Sequence, residues 1–391
     1  MGAILSGLLA GTLTVYGVYE NRRHLRHLER IPHRVHVNGT RGKSSVTRLI
    51  AGGLRAGGLR TMAKTTGTDA RLLYPDGRES PVYRVGRPNL IEQTRIVRRA
   101  VEERVEVLVI ECMAVQPELQ PVAELRLIKS TVGVITNARA DHLDVMGPTV
   151  DDVALTLAQT LPMHGAAFTA ERERAHLLAR VAAARGSTLV VTDPSAVNEA
   201  DLAGFGYIEH AENVALALAV CAHFGVPRET ALGGMRSATP DPGALRRHAI
   251  TVGHKHVEFI NAFAANDPDS TKLIWSRLGL DKPMPGVKRM VLANLRADRL
   301  HRSSQMARLV AKELDTDHVF LSGQGTALVG FQAVQMGLDP ARLTDLGGQS
   351  AEEVYERVLE QVEDRGVVVG IGNIVGLGEA IVLHFKNRAD A

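Results

Sequence analysis

Apolar positions along the chain follow two rhythms: short β-branched runs, and longer stretches with an apolar residue every three or four positions. Val35 to Val37, Val105 to Ile110, Thr131 to Thr136 and Leu189 to Thr192 read as strands. Helical spacing covers Ser44 to Ala56, Val150 to Leu161, Glu173 to Ala184 and Ala211 to Phe224. Strands that are apolar on both faces point to a buried, mostly parallel sheet, and their alternation with helices points to an α/β architecture. Proline and glycine concentrate in Thr239-Pro240-Asp241-Pro242-Gly243, which predicts a domain boundary. Beyond it, Lys288 to Ala293, His318 to Leu321 and Val367 to Ile371 read as strands, with helices at Ser303 to Leu314, Thr326 to Met336 and Ala351 to Asp364. This predicts a Rossmann-like C-terminal domain. The Gly370 to Gly376 turn lacks the spacing of a dinucleotide site and reads as a strand-to-helix turn beside a ligand cleft.

The N-terminal segment follows neither rhythm. Ala3 to Tyr19 carries no charge, and Glu20 is followed by Arg22, Arg23, Arg26, Arg30 and Arg34. The run is close to the roughly 20 residues that span a bilayer, and it lacks the leading basic residues and cleavage site of a signal peptide. A transmembrane anchor over residues 1–22 is therefore expected, a buried helix being the competing reading. The arginine flank puts the catalytic part on the cytoplasmic side of the inner membrane. His24, His27, His33 and His36 are expected to be solvated in this flank, without carboxylate or cysteine partners.

Composition adds little to this picture. The 391 residues are 45% hydrophobic and 23% charged, which reads as globular. That length has room for two or three domains of about 150 residues. A net charge of +3 with 4% aromatics gives no argument for nucleic acid. Cys112 and Cys221 lie far apart in apolar runs and read as reduced core residues.

The chemistry begins at Asn38-Gly39-Thr40-Arg41-Gly42-Lys43-Ser44-Ser45, between the first strand and its helix. Gly39 and Gly42 let backbone N–H groups close on phosphate oxygens, Lys43 supplies a cation, and the Ser44 hydroxyl can hold Mg²⁺. Val37 stands where the common P-loop has its first glycine, so the strict Walker spacing fails. Glu111 ends an apolar strand, where a carboxylate is costly unless it is paired or bound to metal. Two further loops are rich in candidate groups: Lys64-Thr65-Thr66-Gly67-Thr68-Asp69-Ala70, and Thr136-Asn137-Ala138-Arg139-Ala140-Asp141-His142-Leu143-Asp144.

In this order the motifs resemble the Mur ligase and folylpolyglutamate synthetase superfamily of ATP-dependent amide ligases. Together with Glu-Cys-Met-Ala-Val, Asp-His-x-Asp-Val-Met-Gly-Pro-Thr and Phe-Ala-Ala-Asn-Asp-Pro, they look like the ligase subunit of poly-γ-glutamate synthase, the CapB/PgsB family. The resemblance implies an ATP-binding domain over 23–240 and a Rossmann-like domain over 241–391. It makes the loop from Gly39 to Ser45 the phosphate site, with Thr40, Arg41 and Lys43 as contacts. It puts Ser44 on one Mg²⁺, or Mn²⁺, and Glu111 and His142 on a second, with Thr66 supplying another oxygen. Asn137 would face the reacting phosphate, Asn213 adenine, Arg246 the phosphates from the second domain, and Asn266 and Asp267 the ribose or phosphates. Arg296, Asp298 and Arg299 form a charged cluster suited to a carboxylate substrate.

Two departures narrow the reading. No lysine occurs between His142 and Lys255, so the carbamoylated lysine of many Mur ligases is missing from its usual place. The expected anchor also leads almost directly into the phosphate loop, leaving no domain for a nucleotide-linked substrate. The expected reaction is ATP-dependent polymerisation of glutamate through γ-amide bonds, by an acyl phosphate. The implied partners are glutamate, the γ-glutamyl polymer, small integral-membrane subunits and a possible second copy of the chain. The alternatives are a folate or small-peptide polyglutamylating ligase, against which the anchor speaks, and a membrane-tethered nucleotide-binding scaffold of a polymer-export complex.

Overall fold

The computed structural model describes residues 2–66, 70–84, 88–240, 245–263, 268–296, 300–374 and 376–389. The chain divides into two compact units, Met1–Asp241 and Pro242–Ala391.

In the first unit the described residues form an eight-stranded sheet. Its strands are β1 His33–Asn38, β2 Thr61–Lys64, β3 Arg71–Leu73, β4 Glu79–Pro81, β5 Val107–Glu111, β6 Val132–Ile135, β7 Ala166–Thr169 and β8 Thr188–Val191. The order across the sheet is β4-β3-β2-β5-β1-β6-β7-β8, antiparallel only where β3 meets β2 and β4. Strand β1 is central, and its Val35 and Val37 are fully buried beneath α2, Lys43–Ala56. One core joins α2 to helices Ala211–His223 and Arg228–Ser237. On the other face, α3, Glu92–Glu102, contributes Ile96, Val97 and Ala100 to a second core with Met62, Leu108 and Ile110. Cys112 and Cys221 are both buried and unbridged.

The N-terminal segment departs from expectation. Helix α1 runs unbroken from Gly2 to Glu29, and Ile4, Leu8, Leu9, Leu13 and Val15 lie exposed along it. Among the described residues no helix is long and apolar enough to cross a membrane, so the anchor in the expected fold is not supported. The side chains of Gly2, Ala3, Leu5 and Gly7, part of the expected anchor, lie outside the described ones. The end of α1 is docked: Leu28 and Ile31 enter the α3 core. The guanidinium of Arg34 donates to the carbonyls of Leu28, Ile31, Ile128 and Lys129, so this arginine caps the helix end and is not part of a solvated flank.

Two of the four histidines also overturn their reading. His24 is buried, with Nε2 at 2.9 Å from the Leu127 carbonyl. His36 is fully buried, its Nδ1 2.8 Å from Glu124 Oε2, and the other Glu124 oxygen accepts from the Ser130 N–H and hydroxyl. Burial alone would lower the His36 pKa; the neighbouring Cys112 and Glu124 outweigh it and raise it to about 10. The folded value then exceeds an unfolded value of about 6.5. Folded protein binds the extra proton between the two, so this contribution is complete below pH ~6.5 and lost as pH rises towards 10. Urea unfolding should show stability falling across that window in the wild type, with a shallower fall in Glu124→Gln. Equal slopes would mean the pair is not charged.

In the second unit the described residues form a six-stranded sheet of β9 Arg246–Val252, β10 Lys255–Asn261, β11 Val287–Leu295, β12 His318–Gly323, β13 Leu343–Gly347 and β14 Arg365–Gly372. The order is β13-β12-β11-β14-β10-β9, with only β9 antiparallel. Phe259, Phe320, Val368 and Phe385 lie in the core of one face. The order reverses between β11 and β14, a doubly wound arrangement.

Candidate active site

The flagged loops of the first unit converge because of strand order. Strands β2, β5, β1 and β6 are adjacent and parallel, so Thr65-Thr66, Glu111, the Gly39 to Gly42 loop and Thr136-Asn137 all lie at one carboxyl edge. Ligands of open α/β sheets bind at such an edge.

The loop is shaped by two glycines. Gly39 has φ +137°, and a Cβ there would lie 1.9 Å from the Thr136 hydroxyl oxygen. Gly42 has φ +79° at the start of α2, and a Cβ there would lie 2.8 Å from Asn213 Oδ1. Asn213 is therefore packed beside the loop, 8% exposed, with its amide donating to Glu209. Asn137 clamps the loop from the β6 side. Its Oδ1 accepts from the Thr40 hydroxyl at 2.6 Å and the Arg41 N–H at 3.1 Å, while its Nδ2 donates to the Arg41 carbonyl. Thr136 bonds the same carbonyl, and the Arg139 N–H donates to Thr40. The Asn137 side chain thus contacts the loop through both ends of its amide.

Lys43 folds back on this loop, donating to the carbonyls of Gly39 at 2.6 Å and Thr40 at 3.2 Å. The residue keeps some exposed surface, but its ammonium end is enclosed. Burial lowers its pKa, Glu111 opposing and Arg41 adding to the effect. Arg41 reaches Asp141 at 3.5 Å, and Ser45 is half-buried in the first turn of α2.

Glu111, 2% exposed, ties two of the other expected metal residues together. Its Oε2 accepts from the Ser44 hydroxyl at 2.8 Å and the Thr66 N–H at 2.7 Å. His142 is more exposed, with φ +53°, and its Nε2 lies 3.9 Å from Asp141. Among the described residues no three His, Cys, Asp or Glu side chains are grouped to hold a metal. The donor set still fits Mg²⁺ or Mn²⁺ bound with a nucleotide, since such ions take one or two carboxylates plus phosphate and water oxygens. Glu111 and the Ser44 hydroxyl are the side chains that would hold it.

Arg246 opens β9 in the second unit and is half-buried, as is Arg296 just after β11. Asn266, Asp267, Asp298 and Arg299 lie outside the described residues.

Sequence reading missed a second charged layer below the site. Lys64 is fully buried at the end of β2, its Nζ 2.8 Å from Glu92 Oε1. Arg84 binds the same carboxylate at 2.6 Å, and Gln93 Nε2 donates to the Glu111 carbonyl. A lysine ending a strand of Thr61-Met62-Ala63 was the available signal.

Residues 37–220 match the Mur ligase middle domain, and residues 248–388 match the poly-gamma-glutamate synthase CapB C-terminal domain. In shape the chain is similar to a folylpolyglutamate synthase/dihydrofolate synthase from Yersinia pestis complexed with AMPPNP and Mn, with TM-score 0.68 and 16% identity, covering 93% of this chain and 92% of that one. A Mycobacterium tuberculosis folylpolyglutamate synthase complexed with ADP gives TM-score 0.65 and 16% identity, covering 96% and 95%. At those identities the likeness shows the fold. Sequence carries further: the chain is 39% identical to the capsule biosynthesis protein CapB of Bacillus anthracis, across 96% of its own length and 81% of that protein. It is 36% identical to the PGA synthase CapB of Bacillus subtilis, across 96% and 95%. A Mur ligase middle domain followed by a CapB C-terminal domain, in one chain of which 96% aligns with these relatives, makes it a member of the CapB poly-γ-glutamate synthase family.

Proposed function

We propose that the chain is the ATP-dependent amide ligase that extends a γ-linked glutamate polymer. The observation that supports this most is Glu111 bonded to both Ser44 and Thr66 at the edge holding the phosphate loop. In this reading a carboxylate of the γ-glutamyl chain attacks the γ-phosphorus of ATP, the β–γ bond breaks, and ADP leaves. The glutamate amine then attacks the acyl carbon, losing its proton, and phosphate leaves. Lys43 and Arg41 spread the charge on the transferring group, and the loop N–H groups orient it. A divalent ion, Mg²⁺ by preference, would add Lewis-acid stabilisation of the same charge.

The reading extends to location and partners. The apolar run of α1 anchors the chain in the inner membrane with both units in the cytoplasm, beside small membrane subunits through which the polymer leaves. The test is to incubate the full chain, in membranes with and without such subunits, with ATP, Mg²⁺ and glutamate. ADP and phosphate formed only with glutamate support the ligase. Glutamate-independent turnover, or AMP with pyrophosphate, overturns it.

A further inference from the structure

Three elements meet where α1 leaves the first unit. Leu28 at the end of α1, Ile96 and Val97 of α3, and Ile128 of the π-helical turn Ala123–Ile128 share one core. The end of α1 also touches the turn directly, His24 Nε2 lying 2.9 Å from the Leu127 carbonyl, and exposed cations gather around this junction. Arg23 and Arg26 of α1, Arg30 just beyond it, Arg98 of α3, and Arg126 and Lys129 at the π-helical turn are all exposed. His27 reports the crowding: its pKa is lowered by burial first and then by Arg23, His24, Arg30 and Arg98 around it. His24 is lowered by burial, with Lys129 adding to the effect. Opposing charge is thin. Arg98 shares Glu102 at 3.7 Å, and the acidic side chains of α1 are Glu20, which accepts from Tyr16, and Glu29.

We propose that this collar, built from α1, α3 and the π-helical turn together, binds the anionic phosphate headgroups of the membrane surface and so fixes which face of the first unit lies against the bilayer. The proposal rests on the anchor reading of α1. Its novelty lies in the folded part: Arg98, Arg126 and Lys129 are not in the N-terminal segment, and only the fold brings them to its base. Headgroups fit better than free polyanion because the collar directly follows the exposed apolar run. Tyr16 and Tyr19, 57% and 55% exposed, stand about one to three helical turns before Arg23 and Arg26. An aromatic band followed by a basic band matches the layering of a bilayer surface. Each such cation is drawn to an anionic surface, an effect that salt screens.

The test uses the full chain in lipid nanodiscs of phosphatidylcholine alone, or with about a third phosphatidylglycerol, read by amide hydrogen exchange over residues 95–99 and 123–129. The expected result is exchange about fivefold slower with phosphatidylglycerol, reversed by high salt and absent in Arg126→Glu/Lys129→Glu. Both substituted positions are exposed, and unchanged exchange in the β1 and β5 core would show that the variant is folded. Equal slowing in both lipids overturns the proposal, because contact without charge recognition explains it. No slowing in discs that contain the chain overturns it while leaving the anchor intact. Failure to enter discs of either kind overturns the anchor and the proposal together. If soluble poly-γ-glutamate reproduces the slowing in phosphatidylcholine discs, the collar binds polymer and the proposal fails.

Discussion

Lys43→Ala is expected to lower glutamate-dependent ADP formation by roughly 10²–10³-fold, the usual loss when a charge-stabilising donor is removed from the reacting group. The fold should survive, since among the described residues the ammonium bonds the Gly39 and Thr40 carbonyls alone, and Asn137 and Thr136 hold the same loop independently. Lys43→Arg should recover little. The ammonium is a compact point charge on two adjacent carbonyls, whereas a guanidinium presents its donors as a wide planar fork. Steady-state rates with a thermal melt of each variant check both statements. A variant that melts normally and keeps more than about a tenth of its activity would remove Lys43 from the chemistry.

Glu111→Gln is expected to separate metal from nucleotide. The substitution keeps the side-chain volume and an oxygen for the Ser44 and Thr66 donors, but removes the charge. Thermal stabilisation by ADP alone should persist, whereas the extra stabilisation on adding Mn²⁺ or Mg²⁺ should vanish. Mn²⁺ binding followed by electron paramagnetic resonance reads the same loss directly. Lewis-acid stabilisation is worth several kcal/mol, so the rate should fall by roughly 10²–10³-fold. An unchanged Mn²⁺ affinity would mean that Glu111 serves only to hold Ser44 and Thr66.

These two residues were legible in the sequence for a physical reason. A phosphate cradle needs contiguous glycines, lysine and hydroxyl, and a carboxylate ending an apolar strand has few inexpensive fates. The strands and helices that flank these motifs were equally plain, because each is apolar on the scale of a single element. What stayed hidden depends on contacts distant in sequence. His36 meets Glu124 across 88 positions, and nothing near either residue marks the pair. The β3 and β4 strands have three residues each, too few to show a period. Nothing near Asn213 in the sequence marks its packing against Gly42, 171 positions away. For α1 the residue types were read correctly as apolar and then basic. Docking of its last turns was not legible, because Leu28, Ile31 and Arg34 find their partners in α3 and the π-helical turn.

On the proposed reading, the bonds from Thr136, Asn137 and Arg139 to residues 40 and 41 also set what nucleotide binding costs. Fixing a backbone residue costs about 1–2 kcal/mol of conformational entropy, and here that loss is met when the sheet folds. ATP and ADP then meet a cradle already in shape, so loop ordering cannot be what tells them apart. The free energy of phosphate contact is then available for holding and orienting the nucleotide, since none of it is spent on ordering the loop.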